Sequence, residues 1–205
     1  EVFADPPDWK RSFVILLDSS PDRFSNFGPS FSSAKTTGLI DHHYTANVEG
    51  FDFVLFDDVC PSTTLLIYRL FEAANVVPDR FAATNLFAGL VFDTSIFRYK
   101  LTTPESLIVS ARLLELGVSH TEVVEELLLV QPWERVRFRA DMINQAQFEL
   151  DGRLCFSVMD RVSDHLVDSG GLVDDLIFIE GVQVAAVIVA LPDGRVRLSL
   201  RSRSS

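Results

Sequence analysis

The chain has 205 residues, of which 47% are hydrophobic and 23% charged, so it is long enough to bury a sizeable core and to form two domains. This composition excludes a disordered tail and a small scaffold held together by disulfides. The 29 acidic residues outnumber the 18 basic ones, and the net charge of −11 argues against a protein that wraps duplex DNA.

The cysteines and the longest apolar run indicate a protein of reducing, aqueous surroundings. Cys60 and Cys155 lack the spacing of a metal-binding pair, and we expect both to be reduced packing residues. Residues 184–191 form an apolar run that is far shorter than the roughly 20 residues of a membrane helix. The sequence starts without an initiator Met or a secretory signal pattern. We therefore expect a cytoplasmic protein with no membrane association, whose sequence begins inside a longer chain.

The first part of the chain alternates strands with helices. Short apolar runs that end on a carboxylate predict strands over residues 12–17, 37–40 and 51–56. Periodicity and cap residues predict helices over 62–74, 79–92, 104–116 and 119–129. This order favours a mostly parallel sheet covered by helices on both faces. In such sheets the functional crevice lies at the carboxyl ends of the strands, which is where Asp18 and Asp41 fall.

The pattern changes near residue 131 and predicts a second, smaller α/β unit. A helix is predicted over 133–145 and another near Gly170, a hairpin over 148–158, and strands over 182–191 and 195–201. We divide the chain into domains of residues 1–130 and 131–205. The predicted fold class is therefore α/β, with a mostly parallel sheet flanked by helices and a smaller α/β domain across a cleft.

The segment Asp41-His42-His43 carries the sharpest chemical signal. By itself it would fit a solvated turn with one hydrogen-bonded histidine. Two further carboxylates, Asp18 and Asp93, also follow apolar segments at the ends of predicted elements. Mixed carboxylate and imidazole ligands favour a divalent metal such as manganese, iron, cobalt or zinc over calcium.

Three segments resemble motifs of the DHH phosphoesterase family, which is named after its Asp-His-His run. Residues 15–20 (Ile-Leu-Leu-Asp-Ser-Ser) resemble the second motif, residues 39–43 the third, and residues 89–99 (Gly-Leu-Val-Phe-Asp-Thr-Ser-Ile-Phe-Arg-Tyr) the fourth. Residues 196–203 resemble the Arg-Ser strand of the DHH-associated second domain. In size the chain is most similar to the bifunctional oligoribonuclease and 3′-phosphoadenosine 5′-phosphate (pAp) phosphatase type, the nanoRNases.

The resemblance implies a site for two Mn²⁺ ions, although other divalent metals would also fit. It makes Asp18 a carboxylate that bridges the two ions, with His42 and Asp93 completing the ligands of one of them. His43 would contact the scissile phosphate, and Asp41 would orient the histidine pair.

Arginines are implied as substrate contacts. Arg201 in the smaller domain would bind a terminal phosphate or nucleotide, because a guanidinium can form two parallel hydrogen bonds to it. Arg98 and Arg203 are weaker candidates for the same role. The expected substrates are short single-stranded oligonucleotides or nucleotides such as pAp, and an exposed sheet edge would favour a homodimer.

The resemblance also implies a first motif, His-x-x-x-Asp-x-Asp, which supplies the remaining metal ligands, and the 205 residues contain no match to it. We expect that segment to precede Glu1 and a Gly-rich substrate-binding stretch to follow Ser205. The predicted function is a metal-dependent hydrolase of short oligonucleotides or pAp, with weak or no activity in these residues alone. The alternatives are a cyclic-dinucleotide phosphodiesterase and a degenerate nucleotide-binding domain.

Overall fold

The chain forms two compact units, Glu1–Val130 and Gln131–Ser205. The computed structural model describes residues 8–19, 31, 33–159 and 169–203. Ser20, the last residue of the segment that resembles the second motif, lies outside the described residues, as do the segments before residue 8 and after residue 203.

The first unit contains a parallel three-stranded sheet followed by helices. The strands β1, β2 and β3 lie side by side in chain order, and they span Phe13–Leu17, Thr36–Asp41 and Phe53–Phe56. The helices α1 to α4 span Thr63–Ala73, Arg80–Asp93, Pro104–Glu115 and His120–Val124. A short 3₁₀ helix, Trp9–Arg11, precedes β1.

Side-chain caps explain where these helices begin. Ser62 accepts a hydrogen bond from the backbone N–H of Leu65, and Asp79 accepts one from Ala82. Thr103 and Ser106 form a reciprocal capping box before α3. These caps fix the helices whose buried faces form the core of the first unit, with these residues at its centre: Leu65, Leu66, Phe87, Leu90, Val91, Val109 and Leu113.

Helices flank the sheet as predicted, but the side chains on one face of β1 are exposed. Along this strand Phe13, Ile15 and Leu17 are 59%, 41% and 50% exposed, while the residues between them are half-buried. The ring of Phe13 stacks on that of Phe53, with centroids 5.4 Å apart. A continuous apolar run does not reveal such one-sided burial, because the polar residues that would mark the open face are absent from it.

The helix predicted over residues 119–129 is also different in the structure. It consists of α4 followed by a π-helical turn, Glu125–Leu129. The N–H of Val130 donates to the carbonyl of Glu125 at 2.8 Å, which is the five-residue spacing of that turn. Apolar periodicity cannot separate the two helix types over so few residues.

The second unit is a mixed four-stranded sheet with two helices. The strands β4 to β7 span Gln147–Glu149, Leu154–Met159, Val184–Ala190 and Val196–Ser202, and only the β5–β6 pair is parallel. The helices α5 and α6 span Trp133–Asn144 and Ser169–Ile177. Its core includes Met142, Cys155, Leu172, Val173, Leu176, Ala185, Val187 and Val189.

The described elements confirm the predicted α/β class, with a parallel sheet flanked by helices and a second, smaller sheet. In the part of the chain that the structure describes, no helix has the length and apolar character needed to cross a membrane.

Candidate metal centre

The parallel register of β1 and β2 brings the two strand ends together. Leu17 pairs with Ile40, and the next residues along the strands are Asp18 and Asp41. The N–H of Asp18 donates to the carbonyl of Ile40 at 3.0 Å. Asp18 has a φ of 58°, in the left-handed region that residues other than glycine rarely adopt. A backbone strain of this kind in a non-glycine residue is typical of functional sites.

His42 lies between two carboxylates from distant parts of the chain. Its Nε2 is 3.5 Å from Oδ1 of Asp18 and 4.0 Å from Oδ2 of Asp93, the last residue of α2. The His42 side chain is only 10% exposed. The sequence-predicted residues Asp18, His42 and Asp93 therefore meet at one point of the first unit.

A backbone carbonyl sets the orientation of the His42 ring. Nδ1 of His42 lies 3.0 Å from the carbonyl oxygen of Cys60. Because a carbonyl can only accept, Nδ1 donates to it, and in a neutral ring the lone pair is then on Nε2, which faces the two carboxylates. Metal-binding histidines are usually held in this way, with the second ring nitrogen donating to a carbonyl or carboxylate.

His43 has a different partner, the carboxylate of Asp41. Oδ1 of Asp41 accepts from Nδ1 of His43 at 2.7 Å and from its backbone N–H at 2.8 Å. Asp41 is 2% exposed, so this carboxylate is buried and its hydrogen bonds hold the His43 ring in place. The two imidazole rings are 4.6 Å apart.

The donor set of this cluster suits a divalent metal. Asp18, His42 and His43 each offer a ligand atom, and these atoms lie within 4.8 Å of one another. The nearest nitrogen of His43 to Asp18 is Nδ1, at 3.7 Å, and this nitrogen already donates to Asp41. Asp93 places a further carboxylate oxygen 4.0 Å from Nε2 of His42, and nitrogen and oxygen donors of this kind are typical of sites for manganese, iron, cobalt or zinc.

The raised pKa of Asp93 is consistent with a carboxyl group whose ionised form a bound cation would stabilise. Burial above all, together with the neighbouring Asp18, raises the pKa of Asp93 to about 6 against the opposing effect of His42 and His43. A carboxylate whose charge is destabilised by burial and by a second carboxylate gains most from a positive ion beside it.

A threonine missing from the sequence prediction also belongs to the site. Thr63 donates from Oγ1 to Oδ1 of Asp18 at 2.7 Å. It is buried in the first turn of α1, directly after the cap residue Ser62. The segment Pro61-Ser62-Thr63 signals a helix start, but no local pattern shows that the second hydroxyl faces a carboxylate 45 residues away.

The position of Asp93 depends on close contact between α1 and α2. A Cβ built on Gly89 would lie 2.3 Å from Cγ2 of Thr64, so only glycine allows the helices to approach this closely. After Asp93 the chain forms a left-handed turn, with φ of 49°, 58° and 59° at Ser95, Ile96 and Phe97.

This turn holds Arg98, one of the predicted substrate contacts. Its Nη2 donates to Oγ of Ser95 at 2.7 Å, and its Nε donates to the carbonyl of the same residue at 3.0 Å. These hydrogen bonds hold the guanidinium of Arg98 within the turn that directly follows Asp93.

The other two predicted arginines lie in the second unit and have protein partners there. Nε of Arg201 donates to Oδ1 of Asp174 at 3.0 Å. Arg203 donates to the carbonyls of Ile177 and Ile179, at 3.0 and 3.4 Å, and so binds the C-terminal end of α6. These contacts show a structural use for both side chains.

Comparison with known proteins finds relatives of low sequence identity. The chain is 29% identical over 164 residues to the bifunctional oligoribonuclease and PAP phosphatase NrnA of Thermus thermophilus, covering 80% of the chain and 50% of that protein. It is 26% identical over 208 residues to the probable protein of the same name from Streptococcus mutans, covering 97% of the chain and 64% of that protein. The chain thus spans between half and two thirds of the length of these relatives. No protein-family model matches it.

Solved structures show the same fold. An exopolyphosphatase-related protein from Bacteroides fragilis superimposes with a TM-score of 0.82 at 16% identity, over 94% of this chain and 58% of that one. A putative family II inorganic pyrophosphatase from Methanococcus jannaschii gives a TM-score of 0.51 at 17% identity, over 95% of this chain and 70% of that one. In its motifs, its fold and its named relatives, the chain is therefore similar to phosphoesterases of the DHH type.

Proposed function

We propose that these residues form part of a metal-dependent phosphoesterase that hydrolyses short single-stranded oligonucleotides or pAp. The observation that carries the proposal is the orientation of His42, whose Nδ1 donates to the Cys60 carbonyl while Nε2 faces Asp18 and Asp93. The names of the relatives, an oligoribonuclease and PAP phosphatase, support this substrate class.

Each site residue has a role in this proposal. Asp18, His42 and Asp93 hold a divalent metal, Mn²⁺ in the first instance, with Asp18 bridging to a second ion. A two-metal site of this type activates a water molecule and neutralises charge on the phosphoryl oxygens. His43 contacts the scissile phosphate, and Asp41 keeps its ring oriented through the Nδ1 hydrogen bond.

The substrate and cellular context complete the proposal. Residues 1–130 carry the metal centre, and residues 131–205 bind substrate through Arg201 and Arg203, while Arg98 binds it from the first unit. The protein acts in the cytoplasm, and a homodimer through the exposed sheet edge is compatible with the apolar surface of β1.

Metal-dependent hydrolysis tests the proposal. The purified chain is stripped of metal, its intact mass is measured, and release of nucleotide or phosphate from a dinucleotide and from pAp is followed with Mn²⁺, Mg²⁺ or Zn²⁺. Turnover that requires Mn²⁺ and disappears in Asp93→Asn supports the proposal. Turnover that survives Asp93→Asn would refute the metal centre described above.

A further inference from the structure

A tight turn after β3 supplies the carbonyl that orients His42. The N–H of Cys60 donates to the carbonyl of Asp57 at 3.1 Å, which closes the turn. Oδ1 of Asp57 accepts from the N–H of Val59 at 3.2 Å, so the carboxylate adds a second closure to the same turn. Cys60 itself is 2% exposed, and its carbonyl is the partner of His42 Nδ1.

The other oxygen of Asp57 belongs to an ion-pair network. Arg69 on α1 donates from Nη1 to Oδ2 of Asp57 at 2.9 Å. The same guanidinium donates from Nε and Nη2 to both oxygens of Glu105 on α3, at 2.8 and 2.6 Å. Glu105 therefore holds the guanidinium of Arg69 rigidly, because a guanidinium in a bidentate pair has little rotational freedom left. Arg69 in turn holds the carboxylate of Asp57.

We propose that Arg69 is a positioning residue for His42. By fixing the Asp57 carboxylate, it stabilises the turn over residues 57–60 in the form that presents the Cys60 carbonyl to Nδ1, and so keeps the Nε2 lone pair available to a metal. This inference rests on the proposed metal centre, but it concerns residues that do not touch metal or substrate.

The burial of His42 explains why the turn has this influence. Its side chain is only 10% exposed, so water has little access to replace a displaced carbonyl. If the turn relaxes, Nδ1 loses its acceptor, and the proton can move to Nε2, which blocks the nitrogen that faces Asp18 and Asp93. A weakened turn therefore lowers the fraction of His42 that is ready to bind a metal.

The test compares two arginine variants in the same unit. Arg69→Met removes both ion pairs of Arg69 and keeps the aliphatic part of the side chain. Arg112→Met is the matched control, because Arg112 pairs with Glu72 at 2.6 Å between the same two helices without reaching the turn. The affinity for Mn²⁺ is measured by electron paramagnetic resonance of the free ion, with circular dichroism to check the fold.

A second readout separates positioning from general destabilisation. The ¹⁵N shifts of the histidine rings at pH 8 report which nitrogen of His42 carries the proton in the metal-free chain. We expect Arg69→Met to weaken Mn²⁺ binding by about 10- to 100-fold, the range found when partners of metal ligands are removed, and to increase the Nε2–H form. Arg112→Met should leave both readouts as in the unmodified chain.

The possible failures are distinguishable. Unchanged Mn²⁺ affinity and an unchanged His42 tautomer in folded Arg69→Met would overturn the inference. If Arg69→Met does not fold, Asp57→Asn replaces it, since the amide oxygen still accepts from Val59 while the charge facing Arg69 is lost; the same two outcomes then decide. If the unmodified chain binds no Mn²⁺, the proposed function fails, and the tautomer comparison alone decides whether Arg69 positions His42.

Discussion

The carboxylates of the metal centre in the first unit have different partners from two neighbouring carboxylates of the second unit. In the second unit Asp174 pairs with Arg201 and Asp175 pairs with Arg139, so each charge is neutralised by the protein itself. In the first unit Asp18 and Asp93 face an imidazole, and among the described residues neither forms an ion pair with Lys or Arg. Carboxylates that face an imidazole but no Lys or Arg side chain indicate a site for a metal ion from solution.

Strand topology explains the difference. The parallel pair β1–β2 ends at one edge, so the residues after each strand are brought together there. In the second unit β6 and β7 are antiparallel, and the end of β7 lies beside the start of β6, where Val184 pairs with Ser202. The residues that follow β1 and β2 are thus brought to one edge, whereas the residues that follow β6 and β7 lie at opposite ends of that strand pair.

The largest expected effect comes from a comparison of one carboxylate in each unit, Asp93 and Asp175. Asp93→Asn should reduce Mn²⁺-dependent hydrolysis by more than about 100-fold, because it removes a metal ligand while preserving side-chain volume. Asp175→Asn loses its ion pair with Arg139, and we expect it to cost about 1 kcal/mol of unfolding free energy with hydrolysis unchanged. Initial rates and urea denaturation measure the two effects; equal losses of activity in both variants would contradict the comparison.

A smaller effect is expected where α1 and α2 meet. Gly89→Ala gains about 1 kcal/mol of helix propensity but places a Cβ 2.3 Å from Cγ2 and 2.6 Å from Oγ1 of Thr64, and overpacking costs about 1–3 kcal/mol. We expect a net loss of about 1–2 kcal/mol in urea denaturation. Adding Thr64→Ala removes Cγ2 and Oγ1, leaves only the Cβ of residue 64 at 3.0 Å, and should recover most of that loss. No recovery would mean that the glycine serves another purpose.

Arg203→Ala should affect stability by about 1 kcal/mol, because the end of α6 loses two hydrogen bonds and a favourable charge at the helix C-terminus. If Arg203 also contacts substrate, KM for pAp rises in addition to this loss of stability. An unchanged unfolding free energy with a raised KM would show that the hydrogen bonds of Arg203 contribute little to stability. It would also show that the second unit, like the first, acts on the substrate.

The smallest expected effect concerns the modification rates of the two native thiols, one in each unit. Burial raises the pKa of both Cys60 and Cys155, so at a given pH less thiolate is present and modification by a disulfide reagent is slow. The rate should keep rising with pH beyond the range of an ordinary cysteine. Mn²⁺ should slow modification of Cys60, which adjoins the metal centre, and leave Cys155 unaffected; mass spectrometry of the labelled peptides distinguishes them. Equal protection of both thiols would show that the units respond together.

Local patterns were sufficient for most elements and for the strand ends at which Asp18 and Asp41 lie. Cap residues such as Ser62 and Asp79 act over three positions, so the sequence alone locates their helices within one or two residues. The strand ends at Asp18 and Asp41 are equally local. The family motif added Asp93, whose approach to His42 depends on packing.

The remaining features depend on contacts between distant segments. The Cys60 carbonyl, the Thr63 hydroxyl and the Arg69 network become visible only when α1 packs against the sheet. Backbone carbonyls carry no residue-type signal, so no pattern could have indicated the partner of His42. For Arg201 and Arg203, the sequence suggested substrate contacts but could not show that Asp174 and the end of α6 bind them first.

The geometry of the central strand β2 limits where insertions and deletions can be accepted in the sequence. Its six residues alternate between the sheet faces, with Gly38 beneath the ring of Phe53 and Leu39 and Asp41 buried. One inserted or deleted residue would reverse every side chain and turn the histidines away from Asp18. Insertions should therefore accumulate in the connections around β2, such as residues 44–50, where most positions are exposed, and be absent from Thr36–Asp41.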